Sequence, residues 1–507
     1  MRILLINSNL KGDLFAAPPI GLCYVASAAE QAGHEVHVLD LCFKRNVQRE
    51  LDRAISSYSP ELIGISIRNL DNANMLYPVS YLPSVAAICH HVRRRTDAPL
   101  VLGGSGASLS PEGVLRKLGA DYIVVSDGEQ AFVELLTGLE KGQQVDGIPG
   151  VGLLKEDGRF HLTPRRLIGF TSTRPDVGKW IDMRPYQKMG SSYNVQTKRG
   201  CNHRCIYCTY NQVLEGNALR LRSATDVVDE VEEAVLKFRP DLIEFVDSVF
   251  NDPLDYSINI LEEICRRPWK AKFTAMGMSP RGLDDEFLTL LTRAGFVSLW
   301  ISPESGSERM IRNYRKGFSV EEVIRAAEAI NRSQLTTIWN FLIGGPGETN
   351  DTLQETLDFT KKYIPRFPVP PYNMASYFIG VRLYPHTQLW RIAEQEGYIN
   401  ESSDPLQQLW YISEELDLDR AIEQISDTVL VCPEIFSGFD EKYLFLSRAV
   451  AFFGELIGME KPYWGIMCQV HRVFLKTGIG HILPRPNIAG KLRKQLARQG
   501  YRGKLLG

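Results

Sequence analysis

Short apolar, β-branched runs alternate along the first part of the chain with longer stretches whose apolar positions recur at helical spacing. Strands are expected over residues 2–7, 35–39, 62–67, 100–103 and 122–125. Helices are expected between and after them over 21–31, 83–94, 111–118 and 130–141. Strand and helix alternating through short links predict a doubly wound parallel sheet for residues 1–150. Its ligand would sit beyond the carboxyl ends of the strands. The loops at that end are Asn7-Ser8-Asn9-Leu10, Pro18-Pro19-Ile20-Gly21-Leu22, the 66–72 segment, Gly103-Gly104-Ser105-Gly106-Ala107-Ser108 and Ser126-Asp127-Gly128-Glu129. Glycine in such loops lets backbone approach a large ligand.

Residues 151–189 are punctuated by Pro and Gly with little periodicity and read as a hairpin and a crossing linker. A second alternation fills residues 190–395, with strands over 194–198, 242–245, 272–275, 297–302, 337–342 and 375–382. Helices are expected over 226–238, 257–266, 284–293, 320–331 and 351–363. Six such units predict a partial (β/α)6 TIM barrel with its working end at the strands' carboxyl mouth. Residues 396–507 read as mostly helical. Within them, an aromatic stretch over 443–464 is expected over the barrel mouth. A basic tail (Lys491, Arg493, Lys494, Arg498, Arg502, Lys504) is expected as a frayed, solvated end. The fold class is α/β: a Rossmann-like sheet, a partial barrel and a helical region.

At 507 residues the chain can bury large cores without covalent staples. Lys+Arg 58 against Asp+Glu 60 leaves a net charge of -2, which gives no global field for nucleic acid, and no such partner is expected. No apolar run reaches the roughly 18 residues of a membrane span. The first residues read as a strand and not as a secretion signal, so a cytoplasmic location is expected.

Nine cysteines form no disulfide pattern. Cys23, Cys42, Cys89, Cys265, Cys432 and Cys468 are isolated and read as small buried apolar residues. The other three form C-x3-C-x2-C: Cys201, Cys205 and Cys208, on a loop opened by Gly200. Three thiolates within a short loop suit an iron–sulfur cluster, and in a cubane they leave one iron free. Structural zinc usually takes four ligands from paired C-x2-C units; there is no second pair, and His203 lies inside the loop.

With Tyr207 before the last cysteine, this loop resembles the signature of radical S-adenosylmethionine (SAM) enzymes. The resemblance implies a [4Fe-4S] cluster on Cys201, Cys205 and Cys208 whose open iron binds SAM. Further matches follow in order. Asp247-Ser248-Val249-Phe250 resembles Asp-Asp-x-Phe, and Ser302-Pro303-Glu304-Ser305-Gly306-Ser307 resembles Ile-Glu-Ser-Gly-Ser. The 343–349 segment resembles Gly-x-Pro-Gly-Glu-Thr, and Tyr384-Pro385-His386-Thr387 resembles Tyr-Pro-Gly-Thr with His386 in place of glycine. The implied SAM contacts are Tyr207, Asp247, Glu304, Ser305, Arg315 and Gly345; Lys316 is a further cation near the SAM carboxylate. Tyr384 is a candidate catalytic residue.

Upstream, residues 1–150 resemble the cobalamin-binding domain of B12-dependent radical SAM enzymes. The implied corrinoid contacts are Asn9, Pro19, Gly21, Arg68, Asn69, Gly103, Gly104, Ser105, Gly106, Ser108, Ser126, Asp127, Gly128 and Glu129. Asp-x-His-x-x-Gly is absent, and His34 and His37 do not fit its spacing, so no histidine is expected beneath the cobalt. Arg68 is expected to point at that lower face and to disfavour a ligand there, since a guanidinium stays protonated. Lys198, Arg199, Arg204, Arg220 and Arg222 form either a solvated face or a patch for an anionic partner, such as a flavodoxin or ferredoxin electron donor.

The resemblance implies a methyltransferase. Cobalamin carries a methyl from one SAM to a carbon of a small-molecule or peptide substrate, and a second SAM furnishes the deoxyadenosyl radical. A rearrangement or cyclisation without methyl transfer is the alternative, and a corrinoid- and cluster-containing sensor is another. One kind of family member methylates without the radical, and an arginine below cobalt fits that polar route. A methylthiotransferase is disfavoured, because Cys23, Cys42 and Cys89 would have to supply further cluster ligands from helix or strand-edge positions.

Overall fold

The computed structural model describes residues 1–10, 16–167, 169–170, 173–364, 373–431 and 487–506, with a few isolated positions between 435 and 473. Two seven-stranded sheets organise it. The first holds β1 (Arg2–Asn7), β2 (Glu35–Asp40), β3 (Leu62–Ser66), β4 (Leu100–Gly103), β5 (Tyr122–Val124), β6 (Val151–Leu154) and β7 (Phe160–Leu162), in the order β2-β1-β3-β4-β5-β6-β7. The first five are parallel. The expected hairpin after residue 150 is β6–β7, and it extends this sheet antiparallel to β5.

Helices cover both faces, as a doubly wound sheet requires. Helices α1 (Ile20–Gln31) and α6 (Gly128–Glu140) bury Leu22, Ala26, Phe132 and Leu135 against Ile3, Leu5 and Val101. Helices α2 (Val47–Tyr58), α3 (Leu82–Arg93) and α5 (Pro111–Leu118) cover Leu4, Ile6, Ile63 and Leu102. Helix α2 was not expected from the sequence. Only Leu51, Ala54 and Ile55 are buried on it, and Asn46 caps it by accepting from Arg49 N. A short helix, α4 (Ser105–Leu109), follows the Gly103-Gly104 turn.

The second sheet is all parallel: β8 (Tyr193–Val195), β11 (Ile243–Phe245), β12 (Phe273–Met278), β13 (Phe296–Glu304), β14 (Thr336–Ile343), β15 (Asn373–Ile379) and β18 (Ile435–Ser437). The six expected strands are present, and β18, from the region expected to be mostly helical, adds a seventh. Two short antiparallel pairs lie beside the barrel: β9 (Lys198–Arg199) with β10 (Arg220–Leu221), and β16 (Val381–Leu383) with β17 (Leu409–Tyr411).

Alternation along the barrel strands separates two faces. Thr337, Trp339, Phe341 and Ile343 of β14 are 5% exposed or less, packed under α13 (Val320–Arg332) and α14 (Asn350–Tyr363). The other face carries Asn340 and Leu342, Glu244 of β11, Trp300 of β13 and Ser376 of β15, all half-buried, with Met276 and Phe378 exposed. Accessible side chains on strands whose opposite face is sealed by helices line a lumen.

The C-terminal tail is docked, not frayed. Helix α17 (Ile488–Arg498) buries Ala489, Leu492 and Leu496, Arg493 pairs with Asp419, and Gln499 bonds both N–H and C=O of Trp410. The 443–464 stretch and Cys432 and Cys468 lie almost wholly outside the described residues. Among the described residues no helix is long and apolar enough to cross a membrane.

Candidate functional site

The cysteine loop leaves the first barrel strand and is pinned from several sides. Gly200 opens it with φ 88°, and a Cβ there would fall 1.7 Å from the carbonyl oxygen of Ala218. Only glycine fits. Asn211 Nδ2 donates to His203 O and Gln212 Nε2 to Cys205 O, both at 2.6 Å, while Ile206 N donates to Tyr314 O. Cys201 and Cys205 are buried and Cys208 is half-buried. Burial pushes the Cys201 thiol up to about 11, and the neighbouring Cys205 and Cys208 add to the rise. Three thiols close enough to feel one another's charge, on a rigid loop, are a donor set that fits an iron–sulfur cluster.

Beside it, Tyr207, Glu304 and Lys316 form one hydrogen-bonded trio. Tyr207 Oη donates to Glu304 Oε1 at 2.8 Å, and Lys316 Nζ reaches Tyr207 Oη at 3.1 Å and Glu304 Oε1 at 3.2 Å. Glu304 ends β13 with φ 66°, an uncommon conformation for a non-glycine residue, and one seen where a site is held under strain. Burial draws the Lys316 ammonium down, but Glu304 and the nearby cysteines outweigh it, so its pKa lies above the ordinary value. Of the two adjacent cations, Lys316 is buried in the site and Arg315 is exposed.

Asp247 braces the loop's root. It accepts from Thr197 N, Thr197 Oγ1 and Lys198 N, and burial raises its pKa against the pull of Lys198. Gly345 N bonds Tyr314 Oη and Glu348 Oε2, the latter a wholly buried carboxyl raised to about 8 by burial. Ser305 is fully buried and bonded to Thr356 Oγ1, with Ser307 N donating to it. It braces a turn and does not face the cleft as expected. His386, in the motif's glycine position, has φ 66°.

In the Rossmann-like lobe the strand-end loops gather as expected, but their side chains divide into two groups. Arg68 and Asn69 are exposed, and among the described residues the Arg68 guanidinium makes no hydrogen bond or ion pair. Its pKa is nevertheless lowered by burial, with Glu244 of β11 opposing that shift. The accessible guanidinium thus lies near enough to the barrel to feel the charge of Glu244. Gly21, at the start of α1, is likewise open, with nothing within 4 Å of a Cβ built on it. Asn9 is half-buried and Pro19 buried nearby. These features leave room for a large flat ligand and fit a corrinoid. Gly104 and Gly106 serve the protein itself: a Cβ on Gly104 would meet Ile67 O at 2.5 Å, and on Gly106 Asn69 C at 2.9 Å. Their tight approach fixes the loop that presents Arg68. Ser105 Oγ also donates to Arg68 O at 2.7 Å.

The remaining expected corrinoid contacts are committed elsewhere. Ser108 Oγ donates to Gly104 O and accepts from Ser126 N, and Ser126 Oγ donates to Leu214 O. Asp127 pairs with Arg199 at 3.0 Å and with Arg220, Glu129 pairs with Arg199, and Glu215 with Arg220. Gly128 begins α6 against Val25. This buried ionic chain joins the lobes. The five basic residues form neither of the arrangements open from the sequence, a solvated face or a patch: Lys198, Arg199, Arg220 and Arg222 are internal or paired, and of the five only Arg204 is exposed. Tyr384 donates to Asp71 at 3.3 Å, beside the buried Arg382–Asp71 pair, a second junction between lobes. The pairing of Asp127 with Arg199 and Arg220 was the sequence's main omission.

Two family profiles match the chain: the B12 binding domain over residues 7–136 and the Radical SAM superfamily over residues 195–360. A tryptophan 2-C-methyltransferase of Streptomyces laurentii is 26% identical over 457 residues, covering 78% of this chain and 74% of the relative. The structure of the radical SAM methyltransferase TsrM from Kitasatospora setae, with cobalamin and a [4Fe-4S] cluster, superposes with TM-score 0.79 at 22% identity, covering 95% of this chain and 99% of that one. TsrM with tryptophan and a SAM analogue gives 0.78, also at 22% identity, covering 94% and 99%. With a B12-binding lobe ahead of a radical SAM barrel and three thiols at the barrel's first strand end, the chain belongs to the cobalamin-dependent radical SAM enzymes.

Proposed function

We propose that this chain, a cobalamin-dependent radical SAM enzyme, moves a methyl group from SAM to a carbon of a small-molecule substrate in natural-product biosynthesis. The observation that carries this reading is the pairing of three thiols beside the Tyr207–Glu304–Lys316 trio in the barrel with an Arg68 guanidinium on the first lobe that feels the charge of Glu244 on β11. The methyltransferase relatives support the transfer chemistry.

Cys201, Cys205 and Cys208 would hold the cluster. Asn9, Pro19, Gly21, Arg68, Asn69, Gly103, Gly104, Ser105 and Gly106 belong to the loops that would receive the corrinoid. When bound, the cluster would offer SAM its open iron, and the corrinoid would carry a methyl group between donor and acceptor. Lys316 and Glu304 offer opposite charges one hydrogen bond apart, which suits the carboxylate and ribose ends of SAM. Asp247 and Gly345 keep the flanking strand ends in place. Arg68 cannot donate a lone pair. Set against a bound corrinoid, it would offer the cobalt no lone pair, and that would favour a polar methyl transfer. A flavodoxin or ferredoxin would deliver electrons.

The test is the product mass from methyl-deuterated SAM, with deoxyadenosine counted in the same reaction. A product three mass units heavier than with ordinary SAM, without matching deoxyadenosine, is expected. An unlabelled product would point to rearrangement, and no turnover at all to a sensor.

A further inference from the structure

The lumen holds acceptors without donors. Parallel register sets Asn194, Glu244, Thr274 and Ser298 side by side on β8, β11, β12 and β13, so their side chains share one face. Thr274 and Ser298 satisfy each other: Ser298 Oγ donates to Thr274 Oγ1 at 2.9 Å, and Thr274 Oγ1 to Ser298 O at 3.0 Å. Their neighbours do not. Asn194 is 8% exposed, and its Oδ1 is buried with no hydrogen-bond partner. The Glu244 carboxyl accepts no hydrogen bond and forms no ion pair among the described residues. A buried acceptor left like Asn194 Oδ1 is rare and needs an explanation, and the half-buried Glu244 stands beside it in register. Farther along the same lumen face Met276, Trp300, Ile338 and Phe378 supply apolar wall, interrupted by Asn340 and Ser376.

We propose that Glu244 and Asn194 form the substrate's polar anchor: they receive an N–H donor, and the apolar wall takes the ring or chain that carries it. This rests on the methyltransferase reading and names its substrate class, a small amphipathic molecule bearing an N–H. Both groups lack only a donor, so an ether or thioether isostere leaves them unsatisfied and is rejected. Burial holds Glu244 up to about 7 against the opposing influence of Arg68, as befits a carboxyl short of donors.

The experiment uses the full chain reconstituted with cluster and cobalamin, and ligand-observed NMR with indole, tryptamine and benzofuran. Indole and tryptamine are expected to bind at least about tenfold more tightly than benzofuran. Glu244→Ala should abolish that preference, Glu244→Gln should keep part of it for indole through its remaining acceptor, and Asn194→Val should reduce it about threefold. Corrin and iron content matching the wild type identifies a folded variant. Equal binding of indole and benzofuran, no binding of any probe, or a preference unchanged in both Glu244→Ala and Asn194→Val would overturn the proposal. Failure of methyl transfer from labelled SAM with the N–H preference intact would instead count against the methyltransferase reading.

Discussion

The Tyr207 hydroxyl donates to the Glu304 carboxylate at 2.8 Å, joining residues 97 apart in the chain. One belongs to the cysteine loop and the other ends β13, and the Lys316 ammonium bonds both. The two partners should respond differently to removal. Tyr207→Phe deletes one neutral donor, and a loss of about 1–2 kcal/mol is expected from urea unfolding. Glu304→Leu strands a buried cation and should cost about 3–5 kcal/mol. Equal losses would show that Lys316 does not depend on Glu304.

Single alanine replacements of Cys201, Cys205 or Cys208 should each abolish the visible absorbance of the cluster. Iron should fall from about four per chain towards zero after anaerobic reconstitution. Corrinoid content should persist, because those loops belong to the other lobe. A variant keeping both its iron and its turnover would contradict the ligand assignment.

Gly200→Ala should fail for a geometric reason alone. Its Cβ would overlap Ala218 O at 1.7 Å, at a φ of 88°. A destabilisation above about 2 kcal/mol is expected, with cluster loading at most a tenth of wild type. Ordinary loading in that variant would mean that the loop rests on something other than this contact.

Glu348 makes stability depend on pH. Burial raises its carboxyl to about 8, so between the ordinary carboxylate range and pH 8 the native state holds a proton that the unfolded chain has released. Its contribution is complete in acid and falls by about 1.4 kcal/mol per pH unit until pH 8. Glu348→Gln keeps the oxygen that accepts from Gly344 and Gly345 but cannot ionise. Its urea midpoint should vary less with pH between 5 and 8; a slope equal to wild type would exclude Glu348 as the source.

Arg199→Ala should leave Glu129 buried and unpaired and Asp127 held by Arg220 alone, at about 3–5 kcal/mol. Hydrogen exchange should rise in α6 and β9 before it rises in the barrel helices.

Much of this was legible beforehand because it is local. The spacing of Cys201, Cys205 and Cys208 and the strand-end loops depend on neighbours in sequence, and the parallel strands announce themselves as apolar runs. What escaped depends on distance. Nothing near Asp127 or Glu129 indicates that Arg199 and Arg220 will neutralise them, so they read as ligand contacts. Arg315 and Lys316 are equivalent by composition, and only the turn's geometry turns the second inward. Helix α2 hides because its few buried residues sit among charges, and β18 because its pairing partner lies some sixty residues upstream.

The junctions Asp71–Arg382 and Asp127–Arg199 bear on how the molecule can be handled. Each half carries charges whose counterions are built into the other. Producing the halves as separate polypeptides would therefore expose both sets to solvent and to non-native partners, and neither half should be soluble until the two are expressed together.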